Sequence, residues 1–525
     1  MTITTPEKSG QKVGKVYLVG AGPGDPGLIT LRGKYLLERA DVVVYDYLAN
    51  KKLLRHVPES AEFIYVGKKG GGLHAFTQEG INELLVEYGK AGKMVVRLKG
   101  GDPFIFGRGA EEIEELVAEN IPFEVVPGVT SATAAATYAG IPITHRQYTA
   151  SVAFITGHED PTKKKSNIHW DKLATGAGTL VIFMGIKNLP VITQKLIENG
   201  RDPKTPVAVV RWASTPEQHS VEGTLETITD VVREAGIKPP ALIVVGEVVK
   251  LRNTIDWYEK RPLFGKKIVV TRTREQASEL VALLEEHGAD CLEYSTINIE
   301  PVDDYSILDR ELENIDSCQW LIFTSLNAVT YFFKHLHNLD RDARSLAGAK
   351  VAVVGKATGE ELLKYGIKAD LVPEKFTGEG LAEALINVGV SGKRIVIPRA
   401  LVARDVLPEM LKDAGADVVI APVYQNVPPR GRKEQLREEL AEQKIDMVTF
   451  TSSSTVTNFL TMVDAASEAE LHTLLDNVKI AAIGPITSKT VEDSGLKVDV
   501  QPETYTISDM VDAIVDHYSK SKQLS

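Results

Sequence analysis

The stretch VVRLKGGDPFIFGRGAEE, Val95 to Glu112, leaves an apolar run at Gly100-Gly101-Asp102-Pro103 and meets a second glycine pair, Gly107 and Gly109, almost at once. A comparable passage lies nearer the start, VGAGPGDPG from Val19 to Gly27. Each follows a short Val-rich run and precedes a helix-like one, so each reads as the turn from a buried strand into a helix. Outward from these two turns the same grammar continues. KVYLVGAG, DVVVYDYL, EFIYVG, SVAFITGH, GTLVIFMG and ALIVVGE read as strands, with amphipathic segments such as EEIEELVAEN between most of them. Near-continuous Val/Ile/Leu strands belong to sheets covered on both faces, which predicts an α/β architecture throughout.

The 525 residues suggest about three or four domain-sized units. Hydrophobic content of 43% with 25% charged residues is that of a soluble globular chain. The sequence holds neither an apolar run of about 18 residues nor the apolar segment of a signal peptide, so a cytoplasmic protein without a membrane partner is expected. Cys291 and Cys318 lie far apart in apolar contexts and are expected as buried thiols. His145, His335 and His337 have no acidic or cysteine partner at ligand spacing, so no metal is expected and these histidines read as structural or surface residues. A net charge of −11 argues against a nucleic-acid partner.

The strand pattern lapses over LRNTIDWYEKRPLFG, Leu251 to Gly265. This divides the chain into a flexible tail at 1–14, a first module at 15–250, a linker at 251–264 and a second module at 265–525. The second module repeats itself. GKKIVVTR at Gly265 returns as GKRIVIPR at Gly392, FTSLNAV at Phe323 as FTSSSTV at Phe450, and VAVVGKAT at Val351 as IAAIGPIT at Ile480. Three matches in one order at nearly one offset predict a duplicated α/β unit forming two lobes.

VGAGPGDPG first suggests a dinucleotide loop, with Asp46 near the place of a ribose-binding carboxylate. Against that, Asp25 stands at the third-glycine position, and Pro23 and Pro26 remove amide donors that a pyrophosphate would use. The second loop shifts the balance. Gly100 and Gly101 let backbone approach a ligand, and Asp102 can accept hydrogen bonds or partner a positive charge. A cationic ligand with polar ends, such as S-adenosylmethionine, suits this loop better than a pyrophosphate.

VGAGPGDPGLITLRG, ADVVVYD, VGKK, VVRLKGGDPFIFGRGAEE, VPGVTSATAA, GIPITHR, TLVIFMG and PPALIVVGEVV, in that order, resemble the uroporphyrinogen-III C-methyltransferases of the tetrapyrrole methylase family. The resemblance spans about Lys15 to Val249. It implies two α/β domains with S-adenosylmethionine bound between them, S-adenosylhomocysteine as a product, and a homodimer through this half. It further implies two methyl transfers to ring carbons of uroporphyrinogen III, giving precorrin-2. Carried over by motif, the donor site comprises Pro23, Gly100, Gly101, Asp102, Ile105, Thr130, Ser131, Met184, Ala213, Ala241 and Leu242. Asp46 and Lys68 match the family's proton acceptor and proton donor.

From about Lys266 to Tyr518 the looser motifs VTR, FTSLNAV, VGKAT, TGEGL, PRA, VYQNV, TFTSSSTV and IGPIT resemble the uroporphyrinogen-III synthase family. The resemblance implies cyclisation of hydroxymethylbilane with inversion of the last pyrrole. It also implies one lobe from 265–299 plus 428–525 and another from 300–427. Tyr424 matches the family's tyrosine, and Thr358 and Thr487 its cleft threonines. Tyr424 aligns across the repeat with Ile297, a break in the duplication that suits an asymmetric substrate. Ser325, Ser452, Ser453, Arg272 and Arg399 are candidates for binding substrate carboxylates. The combined expectation is a bifunctional enzyme of tetrapyrrole biosynthesis. The competing readings are an NAD-linked oxidoreductase and a methyltransferase carrying an inactive, ligand-sensing second half.

Overall fold

The computed structural model describes residues 13–67, 76–158, 167–271, 278–294, 298–403, 405–427 and 433–523. Lys68, Arg272 and the Lys163-Lys164-Lys165 run lie outside the described residues. Two compact units are present: Met1–Lys267 with Leu283–Asp290 and Val515–Ser525, and Ile268–Ala282 with Cys291–Ile514.

In the first unit, β1 (Lys15–Gly20), β2 (Val42–Tyr45), β3 (Glu62–Tyr65), β4 (Met94–Lys99) and β5 (Phe123–Val126) form a sheet of order β3-β2-β4-β1-β5. Its pairings are parallel. Neighbouring side chains enter different cores: Val16, Leu18, Val42, Val44 and Val95 pack in one, Val19, Val43, Val96 and Leu98 in another. Both faces are therefore covered, which is why the strands carry few polar residues.

A second sheet follows, built from β6 (Val152–Thr156), β7 (Thr179–Phe183), β8 (Pro206–Arg211), β9 (His219–Thr224) and β10 (Ala241–Val245) in the order β6-β7-β10-β8-β9. Only β6 and β7 pair in parallel; the others are antiparallel. The polar stretch after it, expected as a linker, is folded against this unit. Buried Arg252 bonds the Ala139 carbonyl at 2.6 Å and pairs with Glu222 at 2.9 Å and Glu259 at 2.7 Å. Trp257 donates to the Thr137 carbonyl at 3.0 Å, and Tyr258 stacks edge-on against Tyr138. A polar composition here marks an ion-paired strap, since Arg252 needs carboxylates around it to be buried at all.

The second unit contains two sheets. Their strands are β11 (Lys267–Val270), β12 (Asp290–Glu293), β13 (Asn298–Pro301), β14 (Trp320–Phe323), β15 (Lys350–Val353), β16 (Arg394–Ala400), β17 (Asp417–Val427), β18 (Met447–Phe450) and β19 (Lys479–Ala482). One sheet has the order β13-β17-β16-β14-β15, the other β12-β11-β18-β19. The duplication extends to individual hydrogen bonds. Val351 N–H donates to Asp370 at 2.7 Å and Ile480 N–H to Asp499 at 3.0 Å. Parallel bridges join Ala352 to Leu371 and Ala481 to Val500.

Candidate active sites

The two glycine turns meet. Gly101 N–H donates to the Gly22 carbonyl at 2.7 Å and Gly22 N–H to the Gly101 carbonyl at 3.3 Å, an isolated antiparallel bridge. Gly22 and Gly101 have φ of +77° and +67°, where a side chain is strained. A Cβ on Gly100 would lie 2.4 Å from the Leu48 Cβ, so only glycine permits this approach. Asp102 takes up the first of its two expected roles, accepting hydrogen bonds. Its Oδ1 accepts from the amides of Phe104 at 2.8 Å and Ile105 at 3.2 Å, and its Oδ2 from Gly128 at 3.0 Å. The carboxylate thus shapes its own loop and ties that loop to the segment leading to Thr130.

Around this cradle the structure gathers several of the expected donor residues. Ile105 packs in one apolar cluster with Ala213, Leu242 and the alanine face of the helix Ser131–Tyr138. Thr130 caps that helix, accepting from Ala132 N–H at 3.4 Å. Beside Pro23, a Cβ on Gly24 would meet the Thr215 side chain at 2.6 Å and the Ala213 carbonyl at 2.9 Å. Asp25 N–H donates to Ser214 Oγ at 3.2 Å. Ala241 opposes Arg211 between β10 and β8. Met184 is 51% exposed and, with Phe106, Arg108, Trp212 and Ser214, has a positive φ. Five such non-glycine residues lie on or beside the expected donor segments, and backbone strain of this kind collects at functional sites.

The first loop is poorly suited to a pyrophosphate. The amides of Gly22, Asp25, Gly27 and Leu28 all have protein acceptors. The Asp25 carboxylate, which accepts from Gly27 at 2.7 Å and Tyr138 Oη at 2.7 Å, would repel a phosphate in the same turn. Burial, followed by the bond to Asp25, pushes the Tyr138 phenol well above its ordinary pKa.

Asp46 lies just beyond β2 and is held on both oxygens. Oδ1 accepts from Leu48 N–H at 3.0 Å, and Oδ2 pairs with Arg97 Nη2 at 3.0 Å. Arg97 also belongs to a buried charge network, in which Glu112 Oε2 has no hydrogen-bond partner among the described residues. Fully buried Glu112 reaches Lys99 at 2.5 Å and Arg97 Nε at 3.5 Å, and Gln78 donates to it at 3.3 Å. Burial, then the charge of Arg97, holds the Lys99 ammonium below its ordinary pKa despite Glu112. Sequence reasoning missed this network. Its signal was the pair of cations inside a buried strand, V-V-R-L-K.

In the second unit Tyr424 is 8% exposed and lies on β17 opposite Pro301, beside a bulge against Ala400. Its phenol is 3.2 Å from Ser325 Oγ, and its ring centroid 5.8 Å from that of Tyr331. Thr358 and Thr487 are buried third residues of the helices Lys356–Leu363 and Pro485–Asp493. Each helix starts after a glycine facing an aromatic ring: a Cβ on Gly355 would lie 3.4 Å from Phe376, and one on Gly484 3.1 Å from Tyr505. Phe376 and Tyr505 are 53% and 58% exposed and occupy equivalent places in the repeats. They were missed because the flanking motifs are loose; the constant offset was the available signal.

The serines have structural work. Ser325 caps the helix Leu326–Asn338, and Ser452 forms a capping box with Thr455 while contacting Ser454 at 3.0 Å. Ser453 Oγ accepts from Thr490 at 2.8 Å. Arg399 is buried, with Nη2 2.6 Å from Asp405 Oδ1. His335 does have an acidic partner, Asp309 at 2.7 Å, and stacks on Tyr305 at 3.7 Å; the contact joins separate helices and no local spacing announces it. Among the described residues no group of three or more His, Cys, Asp or Glu could hold a metal ion. Cys291 and Cys318 are buried thiols, and burial pushes the Cys318 thiol up to about 11. Among the described residues no helix is long and apolar enough to cross a membrane.

The architecture and these residue sets define a two-module α/β chain. Residues 15–229 match the family model for tetrapyrrole (corrin/porphyrin) methylases, and residues 278–512 that for uroporphyrinogen-III synthase HemD. Porphyrin biosynthesis protein HemD of Ruminiclostridium josui is 38% identical over 503 residues, 96% of this chain and 98% of its own length. Uroporphyrinogen-III C-methyltransferase of Priestia megaterium is 54% identical over 237 residues, 45% of this chain and 99% of the relative. Among solved structures, uroporphyrin-III C-methyl transferase of Thermus thermophilus, complexed with S-adenyl homocysteine, shares 41% identity and has a TM-score of 0.39; the match covers 45% of this chain and all of that one. The chain belongs to the family of that porphyrin biosynthesis protein HemD, and it carries a methylase module ahead of a synthase module. Both modules belong to enzyme families, and their fusion makes the chain a bifunctional enzyme.

Proposed function

We propose that the second module cyclises hydroxymethylbilane to uroporphyrinogen III and the first methylates that product twice, giving precorrin-2. The observation carrying this reading is the succession of two family modules in one chain, matched along nearly its whole length by a single relative.

The first module's residues fit S-adenosylmethionine. Gly100 and Gly101 form a cradle that a Cβ would crowd or strain, Asp102 fixes it, and Ile105, Ala213 and Leu242 supply an apolar wall. When bound, this donor supplies an electrophilic methyl group on sulfur. Alignment of the pyrrole carbon with that methyl accounts for most of the acceleration. Asp46, fixed by Arg97 and the Leu48 amide, receives the proton that the methylated ring sheds. Lys68, outside the described residues, is assigned as proton donor.

In the second module the Tyr424 phenol gives its proton to the hydroxyl of the substrate. The carbon–oxygen bond breaks and water leaves. The azafulvene so formed is attacked by the last pyrrole at its substituted carbon. The spiro intermediate then breaks the bond from that carbon to the neighbouring bridge carbon, which bonds the free carbon of the same ring and closes the macrocycle with the ring inverted. The proton released as the last ring regains aromaticity returns to the phenolate, so the cycle is balanced. Thr358 and Thr487, with Phe376 and Tyr505 near them, hold the folded substrate. Ser452, Ser453, Arg272 and Arg399 are assigned to its carboxylates. The chain acts as a homodimer through the methylase module, in the cytoplasm, where its two buried cysteines stay reduced.

Uroporphyrinogen III and S-adenosylmethionine supplied anaerobically test the first half. The expected product carries two added methyl groups, with turnover reduced about 100-fold in Asp46→Asn. A product with no methyl gain would overturn the assignment.

A further inference from the structure

Ser325 occupies a place that its helix-capping role alone does not account for. Its Oγ accepts from Ala328 N–H at 3.1 Å, the ordinary bond of an N-cap, and also lies 3.2 Å from Tyr424 Oη. A serine hydroxyl has one hydrogen and two lone pairs. The amide occupies one lone pair, and among the described residues the phenol is the other partner.

Two proton arrangements fit these contacts. If Tyr424 donates to Ser325, the serine hydrogen has no acceptor among the described residues and the phenol has no proton left to offer. If Ser325 donates to Tyr424, the series runs amide to serine to phenol, and the phenol hydrogen remains free. A hydroxyl that accepts an N–H at the positive end of a 13-residue helix becomes a stronger donor, and only the second order leaves the phenol proton available to a substrate. The phenol itself is held in place: Leu401 N–H donates to the Tyr424 carbonyl at 2.8 Å, and the Tyr331 ring lies alongside. The repeat supplies a comparison. Ser452 caps the equivalent helix but contacts Ser454, and the residue corresponding to Tyr424 in the other repeat is Ile297. Capping a helix at this position therefore does not require a phenol.

We propose that Ser325 is a positioning residue for cyclisation: it donates its hydroxyl hydrogen to Tyr424 Oη and so leaves the phenol proton directed to the departing hydroxyl of the substrate. This rests on the reading of Tyr424 as the proton donor.

The test uses the full chain with hydroxymethylbilane, measuring kcat, KM and the ratio of type III to type I macrocycle. The variants are Ser325→Gly, Ser325→Thr, Tyr424→Phe and the Ser325→Gly/Tyr424→Phe double. Glycine removes the hydroxyl yet is tolerated at an N-cap, so folding is preserved. Ser467→Ala, which deletes the cap of the helix Glu468–Leu475, controls for loss of a cap alone. Ser325→Gly is expected to lower kcat roughly fivefold to tenfold, the size of one hydrogen bond, with KM little changed and more type I product. Ser325→Thr restores kcat, Ser467→Ala leaves it unchanged, and the double variant is no slower than Tyr424→Phe alone. Independent, multiplying effects of the two changes, or an unaltered kcat in Ser325→Gly beside a slow Tyr424→Phe, would overturn the role of Ser325 while sparing Tyr424. An unaltered Tyr424→Phe would end both.

Discussion

Replacing Asp102 by Asn probes the glycine cradle where its geometry is most demanding. The carboxylate accepts three amides, from Phe104, Ile105 and Gly128. Asn keeps one carbonyl oxygen, which can still serve Phe104 and Ile105. It then turns an NH2 group toward Gly128 N–H, so a hydrogen bond 3.0 Å long in the native protein becomes two facing donors. A bond to a charged acceptor contributes about 1.5–3 kcal/mol. Losing it should weaken the closed loop by about 2 kcal/mol, which is roughly a 30-fold loss of affinity when the ligand binds only that conformation and the open loop prevails without it. Calorimetric titration of the full chain with S-adenosylhomocysteine measures the affinity. Hydrogen exchange at the Gly128 amide reports the loop directly and should quicken. An Asn variant that binds within threefold of the native protein, with Gly128 protected as before, would refute the assignment of Asp102 as the tie that shapes the cradle.

Gly100→Ala should impair donor binding more than Gly101→Ala. The first drives a Cβ to 2.4 Å from Leu48, whereas the second meets only an ordinary 3.8 Å contact and costs about 1–2 kcal/mol for its positive φ; equal effects in titration would contradict the geometry. Glu112→Gln removes the anion shared by buried Arg97 and Lys99 and should destabilise the first unit by about 3–5 kcal/mol, seen in the denaturant midpoint of its unfolding. Lys99 has a folded pKa below its unfolded one, so its contribution to stability is complete above the unfolded value and falls as pH drops through the folded one. Without Glu112 that pKa moves further down, and the fall should extend to lower pH. The Tyr88 phenol is pushed up to about 12, first by the bond it donates to Glu62 at 2.6 Å and then by burial. Its stabilisation is present below pH 10 and lost as pH rises toward 12, and Tyr88→Phe should flatten stability across that window.

The α/β class and the duplication were legible because strands covered on both faces need continuous apolar runs, and because repeated motifs keep their order. The glycines at 100 and 101 were legible as places of close approach, although only the fold shows that Gly101 bonds to Gly22. That Asp102 could accept hydrogen bonds was legible, but its partners were not, since one of the three amides comes from Gly128, 26 residues along the chain. Arg252 sat in a polar stretch that resembled a linker, and its burial depends on carboxylates at Glu222 and Glu259. Ser325 shows the same limit in the second unit. Hydroxyls at strand ends suggest carboxylate binding, while the partner that gives this one its meaning, Tyr424, is 99 residues away.

The most direct measurement supplies the intact chain with hydroxymethylbilane and S-adenosylmethionine without oxygen and identifies the macrocycle released. The bifunctional account predicts a type III ring carrying two new methyl groups, formed faster than spontaneous closure. Unmethylated type I ring appearing at the uncatalysed rate would contradict it.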